Sequence, residues 1–194
     1  MEKGGLTAAL SAQGVSQRTR LFWGDEMRLG LLGQVRRRWT PRGVKIRQRV
    51  QFGRVWRYLA LAVDGLAGHL AWTWIANMKG ESIAQAVRAW HSAQVAAVVW
   101  DRAGGHRTRG VREVGLVLVE QPAGSPELNP AERIFEELRR LVEGQLYDTI
   151  EEKMAAIETE LAALAADPAR VRRLAGWAWI RASCQALPLN TAAP

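Results

Sequence analysis

Cysteine is almost missing from this chain: Cys184 is the single one in 194 residues. A lone cysteine excludes an internal disulfide and a cysteine-based zinc site. Histidine is nearly as scarce, and the three, His69, His91 and His106, show no zinc-ligand spacing. No apolar run reaches the ~20 residues that a helical membrane span needs. The longest stretch, Tyr58 to Ala76, is broken by Asp64, Gly65, Gly68 and His69. The opening MEKGGLTAALSAQGVSQRTR has no signal-peptide core. GLAGHL and DRAGGH lack the Lys-Ser or Lys-Thr that completes a phosphate loop. There is no Gly-x-Ser-x-Gly elbow, no internal repeat and no low-complexity tract. These absences predict a soluble cytoplasmic protein outside the disulfide-scaffold, zinc-finger, nucleotide-loop and serine-hydrolase classes.

Acids are missing as well from one long stretch, since none lies between Glu26 and Asp64. That stretch carries Arg36, Arg37, Arg38, Arg42, Lys45, Arg47, Arg49, Arg54 and Arg57. The whole chain has a net charge of +8 and a pI near 10.7. Such a balance favours a polyanionic partner, nucleic acid first and an anionic membrane second. The basic run can follow a DNA backbone without reading sequence, or it can be a solvated edge kept from aggregating by charge. With 48% hydrophobic and 24% charged residues, the composition is that of one globular domain with a sizeable core.

The periodicity divides the chain. Residues 1–17 are small, polar and Gly-containing, and predict a flexible tail before a domain over 18–194. Leu21 to Trp23 form a short strand-like run, and Val44, Ile46 and Val50 alternate partly with polar residues. Tyr58–Val63 and His69–Ile75 read as strands around an Asp64-Gly65 turn. In ESIAQAVRAWHSA, Ile83, Ala86, Val87 and Trp90 share one helical face. VAAVVWD and REVGLVLVEQP read as strands, the first buried and parallel to its neighbour because a helix precedes it. Thr149 with Glu152 forms a capping box for a helix to about Ala166, and Asp167-Pro168 starts a last helix running past Trp179. The result is an α/β protein whose mixed sheet joins an antiparallel meander to parallel strands, with a helical C-terminus. The nine tryptophans suit core and sheet packing.

Three acids stand where chemistry could use them. Asp101 ends the buried run AAVVWD, at a sheet edge where ligands gather; it can equally begin the turn-rich DRAGGH. Asp25, followed by Glu26, lies in or just after an apolar aromatic run, where a charge is costly unless paired or metal-bound. It can also be a strand-terminal acid on a solvated face. In SPELNPAERIFEELRR, Asn129 can cap, Pro130 suits the first helical position and Glu132 the third. Glu132 can then close a capping box or ligate a metal, and the two roles compete. Asp64 reads as a turn residue and Glu120 as a loop entry, while Glu136 and Glu137 can pair with Arg139 and Arg140. His91 reads as a surface residue; His106 is either a solvated loop histidine or a contact of the site.

LFWGDE, RRRWTPRG, VVWDRAGGHR and SPELNPAERIFEELRR, in this order, resemble the catalytic domain of DDE transposases of bacterial insertion sequences, the mariner superfamily branch. The resemblance covers roughly residues 20–183 and is carried most specifically by its last motif. It implies an RNase H-like fold with a mixed five-stranded sheet. It implies that Asp25, Asp101 and Glu132 bind two Mg²⁺ or Mn²⁺ ions, with Glu26, His106 and Asn129 as auxiliary residues. It implies DNA as partner, with Arg36, Arg37, Arg38, Arg42 and Lys45 on its backbone, and cleavage at element ends followed by strand transfer. A homodimer and a nucleoid-associated location go with it. Two departures stand out. Asp101 and Glu132 are 31 positions apart, fewer than the family usually has. The family's N-terminal helix-turn-helix region is missing, which predicts a second-frame product whose DNA-binding half is encoded upstream, or a truncated relic. A catalytically silent DNA-binding remnant and a host RNase H-like nuclease remain open as alternatives.

Overall fold

In the computed structural model, which describes residues 5–33, 39–45, 47, 49–122 and 124–190, the aromatic run at Leu21 extends well past the first acid. Strand β1 covers Leu21–Gly30, so Asp25 and Glu26 lie inside it rather than after it. β2 (Trp56–Asp64) and β3 (His69–Ile75) complete the meander, and β4 (Ala97–Trp100) and β5 (Val117–Glu120) add the parallel strands. The sheet order is β3-β2-β1-β4-β5; β1 and β2 are antiparallel, as are β2 and β3, while β4 lies parallel to both β1 and β5. This is the mixed five-stranded sheet of an RNase H-like fold.

Seven α-helices among the described residues cover the two faces: α1 (Gly5–Ala12), α2 (Gly80–Ser92), the single turn α3 (Arg109–Arg112), α4 (Ala131–Val142), α5 (Ile150–Ala165), α6 (Pro168–Ala175) and α7 (Ala178–Gln185). One core lies between the sheet and α4 to α7, gathering Trp23, Met27, Leu61, Phe135, Leu138, Ile157 and Leu161. The other lies under α2 and α3, with Phe22, Val98, Trp90 and Trp100. Strand alternation explains the split, because neighbouring side chains of β1 point to opposite faces. Gly24 falls on the α2 side. A Cβ there would meet Val98 at 2.9 Å and the rings of Trp100 and Trp90 at 3.2 and 3.3 Å, so the missing side chain lets two indoles close over β1.

Several expectations change. The predicted loose tail folds: α1 buries Leu6 and Leu10, with Val15 just beyond it, because these apolar residues find the core beside α7. Val44 and Val50 lie in an irregular connection between β1 and β2 rather than a strand; Ile46 is outside the described residues. The last helix breaks at Gly176-Trp177 into α6 and α7. Thr149 caps α5 by accepting from the Glu152 N–H at 3.1 Å, but the Glu152 carboxylate returns to the Asp148 N–H at 3.0 Å, one residue early. Trp23, Trp90 and Trp100 are core, whereas Trp39 is fully exposed and Trp56 is exposed at 38%. Glu158 of α5 clamps β3 by accepting from both the Trp72 and Trp74 indoles, at 3.0 and 2.5 Å. Among the described residues no helix is long and apolar enough to cross a membrane.

Candidate functional site

Asp25 sits in the middle of β1 and faces the α4 layer. The parallel register pairs Trp23 with Val99, and two further positions along it bring Asp101 beside Asp25, just beyond the end of β4. The loop before α4 closes the third side. There the buried Asn129 amide donates to the Gly24 carbonyl at 3.0 Å and to Asp25 Oδ2 at 3.1 Å, while its own Oδ1 accepts from the Ala131 N–H at 3.1 Å. The other Asp25 oxygen accepts from the Glu26 N–H at 2.8 Å.

Burial is the chief reason the Asp25 carboxyl is pushed up from 3.8 to about 7. The Glu26 N–H opposes the shift, and the charges of Glu26, Glu132 and Asp101 add to it. A half-buried carboxyl surrounded by other carboxylates is costly to ionise, and a cation among them would relieve that cost.

Glu26 points the other way, into the α2 layer. Its carboxylate is 3% exposed and lies 3.1 Å from His106 Nε2. His106 Nδ1 lies 2.9 Å from Asp101 Oδ1 and 3.2 Å from the Asp101 carbonyl. The imidazole is stacked on Trp100, ring centres 3.7 Å apart. Burial alone lowers the His106 pKa, but hydrogen bonding and charge from Glu26, then from Asp101, outweigh it and raise the value. As an imidazolium, His106 can donate to both carboxylates at once. It is therefore no solvated loop histidine: the short helical turn Gly104–Arg107 turns it inward.

Glu132 starts differently from expectation. Pro130 takes the cap position and α4 begins at Ala131, so Glu132 is the second helical residue. Its side chain does not close a capping box; Oε2 accepts from Arg139, two turns on, at 3.2 Å. Arg139 was expected to pair with Glu136 or Glu137. Glu137 does pair with Arg140 as expected, at 2.5 Å, while Glu136 pairs with Arg133 at 2.6 Å. The i, i+7 spacing of Glu132 and Arg139 places both on one helix face, a signal present in the sequence. An open cleft of about 550 Å³ lies beside Glu132, walled by Pro126, Arg133 and Trp177.

Asp64 takes its turn role, with Oδ1 accepting from the Leu66 and Ala67 N–H groups at 2.8 and 2.9 Å. Glu120 is a bidentate partner of Arg107, both bonds 2.7 Å. Arg42 and Lys45 are exposed in the β1–β2 connection, while Arg36, Arg37 and Arg38 lie outside the described residues.

Among the described residues, no three Asp, Glu, His or Cys side chains form a ready-made metal cage. Glu132 is drawn to Arg139 and Asp101 to His106. The donor type itself, carboxylate oxygens whose charges act on the half-buried Asp25 carboxyl, suits a hard divalent cation.

No model of a protein family matches the chain, and no curated protein sequence matches it. Solved structures do. The isolated catalytic domain of Mos1 mariner transposase superposes with a TM-score of 0.54 at 13% identity, over 92% of this chain and 88% of that one. The chain has the fold of that domain. A Mos1 paired-end complex with the left transposon end gives a TM-score of 0.61 at 14% identity. A Mos1 paired-end complex with Mn gives 0.58 at 15%. The chain spans 59% and 56% of the transposase chains in those two complexes.

Proposed function

We propose that this chain is the catalytic domain of a DDE-type transposase, cutting DNA at the ends of a bacterial insertion sequence and joining the freed 3′-hydroxyl to target DNA. The observation that carries the reading is the Asp25 carboxyl. In a fold like that of the Mos1 catalytic domain, it is half-buried mid-strand and held near pKa 7, with the charges of Glu132 and Asp101 acting on it.

Asp25, Asp101 and Glu132 would hold two Mg²⁺ or Mn²⁺ ions. Bound there, such ions supply an activated water and stabilise charge at the phosphate under attack. The rest is the work of this chain's own groups. Asn129 fixes the Asp25 carboxylate against the start of α4. His106 orients Asp101, and Glu26 holds His106 from behind the sheet. Outer hydrogen-bond partners of this kind set the aim of ligating side chains. Arg42 and Lys45, with Arg36, Arg37 and Arg38, would lie along the DNA backbone and supply affinity without sequence reading. The active species would be a homodimer at the nucleoid.

A second reading, a catalytically silent DNA-binding remnant, draws on the Glu132–Arg139 ion pair, which occupies the carboxylate the chemistry needs. A metal-dependent nicking assay on terminal-repeat DNA, with Asp101→Asn as comparison, separates the two. Mn²⁺-dependent nicking by the wild type and none by Asp101→Asn supports the transposase. Equal products from both proteins would sink it. Cleavage of RNA–DNA hybrids without strand joining would point to a host nuclease instead.

A further inference from the structure

Beyond the acids, where β1 runs out towards Gly30, a cleft of about 260 Å³ opens between β1, the C-terminal end of α4 and α5. Among the described residues its walls carry four cations, Arg28, Arg49, Arg139 and Lys153, against one carboxylate, Glu143. Lys153 is the unusual member. It is 8% exposed, yet its ammonium finds no carboxylate among the described residues. It donates to the Gly30 carbonyl at 2.7 Å and lies 5.9 Å from the centre of the Tyr147 ring. A buried ammonium with one carbonyl partner keeps unused N–H donors and an uncompensated charge. Burial accordingly lowers its pKa.

Arg28 and Arg49 stand beside Lys153. Arg28 lies over the Trp56 ring, 4.2 Å from its centre, a contact that uses the face of the guanidinium and not its N–H edge. Trp56 in turn rests on Gly30, where a Cβ would come within 2.3 Å of the indole. Neither Arg28 nor Arg49 has a carboxylate partner among the described residues, and Arg49 is exposed at the mouth. Arg139 connects this cleft to the candidate site, since its guanidinium holds Glu132. An elongated polyanion crossing the acids along α4 would meet the cleft next.

We propose that this cleft is a phosphate-binding site, and that its occupant is a backbone phosphodiester of the DNA strand lying across the candidate site. The assignment of DNA rests on the function proposed above; the anion chemistry rests on Lys153 and its neighbours. The contact is ionic and does not read sequence, so it acts at any DNA and needs no divalent metal.

The test is binding of a short labelled duplex in EDTA, followed over a range of salt. Arg49→Gln, at an exposed position, leaves the fold intact; Lys153→Gln probes the buried donor; Arg173→Gln, exposed on α6, controls for net charge. Each lost phosphate contact should lower the slope of log affinity against log salt by about 0.9 and weaken binding several-fold. That is expected for Arg49→Gln and Lys153→Gln, with Arg173→Gln matching the wild type. An unchanged slope in Arg49→Gln overturns the proposal. A second arm uses inorganic phosphate. If it stabilises the wild type and not Lys153→Gln while the DNA slope stays the same in every variant, the cleft takes free phosphate and not DNA, and the assignment falls. Because no metal is present, these results are independent of nicking: loss of catalysis alone leaves the site standing.

Discussion

The Asn129 side-chain amide donates to the Asp25 carboxylate at 3.1 Å while its carbonyl oxygen accepts from the Ala131 N–H at 3.1 Å. One buried side chain therefore fixes the start of α4 to the centre of β1. Asn129→Ala removes these bonds and leaves the Gly24 carbonyl without its side-chain donor. That should destabilise the fold by about 2–4 kcal/mol, read by urea denaturation. Asn129→Asp keeps the helix-side acceptor but sets a carboxylate against Asp25. Its deficit should exceed that of Asn129→Ala at pH 8 and shrink towards pH 5. A pH-independent deficit would mean that charge at Asp25 is not what Asn129 serves.

Asp25 makes the metal-free protein pH-sensitive in a definite direction. Its carboxyl titrates near 7 when folded, against 3.8 as the ordinary value. Between those values the folded state keeps a proton that the unfolded state has lost, so stability falls as pH rises from about 4 to 7. A shift of roughly three units corresponds to at most about 4 kcal/mol. In chelator, Asp25→Asn should be more stable than wild type at pH 8, by about 5–10 °C in Tm, and close to it at pH 4.5. Identical melting curves at pH 8 would show that the carboxyl is not strained.

How much of this was legible beforehand depends on the range of the interaction that decides it. β3, α2 and the parallel strands could be read because period-two and period-3.6 patterns are local. The full length of β1 could not, since Asp25 and Glu26 interrupt the apolar pattern with charge and Gly24 is explained by Trp90 and Trp100, distant in sequence. α1 looked like a tail because its few apolar residues acquire meaning only against α7. Asp25, Asp101 and Glu132 stand out in the sequence as candidates, each with a structural alternative. Their tertiary surroundings do not: the stacking of His106 on Trp100 and the reach of Glu26 to His106 arise from residues distant in sequence, whereas the Glu132–Arg139 pair follows from i, i+7 spacing on α4. The cleft around Lys153 gathers residues from β1, its following loop, α4 and α5, and no local motif announces it.

Glu26 and His106 are both nearly solvent-free, so each is costly without the other. His106→Gln and Glu26→Gln should each cost about 2–4 kcal/mol. The double variant should cost less than their sum, by about 1–3 kcal/mol in a double-mutant cycle. The His106 pKa is raised in the fold, so the pair stabilises below the unfolded value of 6.5 and its contribution is lost as pH rises through the folded value. The coupling energy should therefore be larger at pH 6 than at pH 9. Strict additivity at both pH values would remove the ion-pair description.

Arg139 and a divalent cation would compete for the same Glu132 carboxylate. Glu132 is 34% exposed and Arg139 47% exposed, and an ion pair so open to water is worth at most about 1 kcal/mol. The competitor is thus weak, and removing it has a bounded effect. Arg139→Gln should leave global stability within about 1 kcal/mol of wild type and tighten Mn²⁺ binding by about two- to five-fold, the affinity equivalent of that energy. Titration of free Mn²⁺ by its electron paramagnetic resonance signal reads this without any turnover. Glu132→Gln, tested alongside, should weaken the same binding by about ten-fold or more. If Arg139→Gln leaves Mn²⁺ affinity unchanged while Glu132→Gln lowers it, Glu132 is a ligand but Arg139 does not restrain it. If neither variant alters it, Glu132 is not a ligand, and its place is the surface ion pair with Arg139.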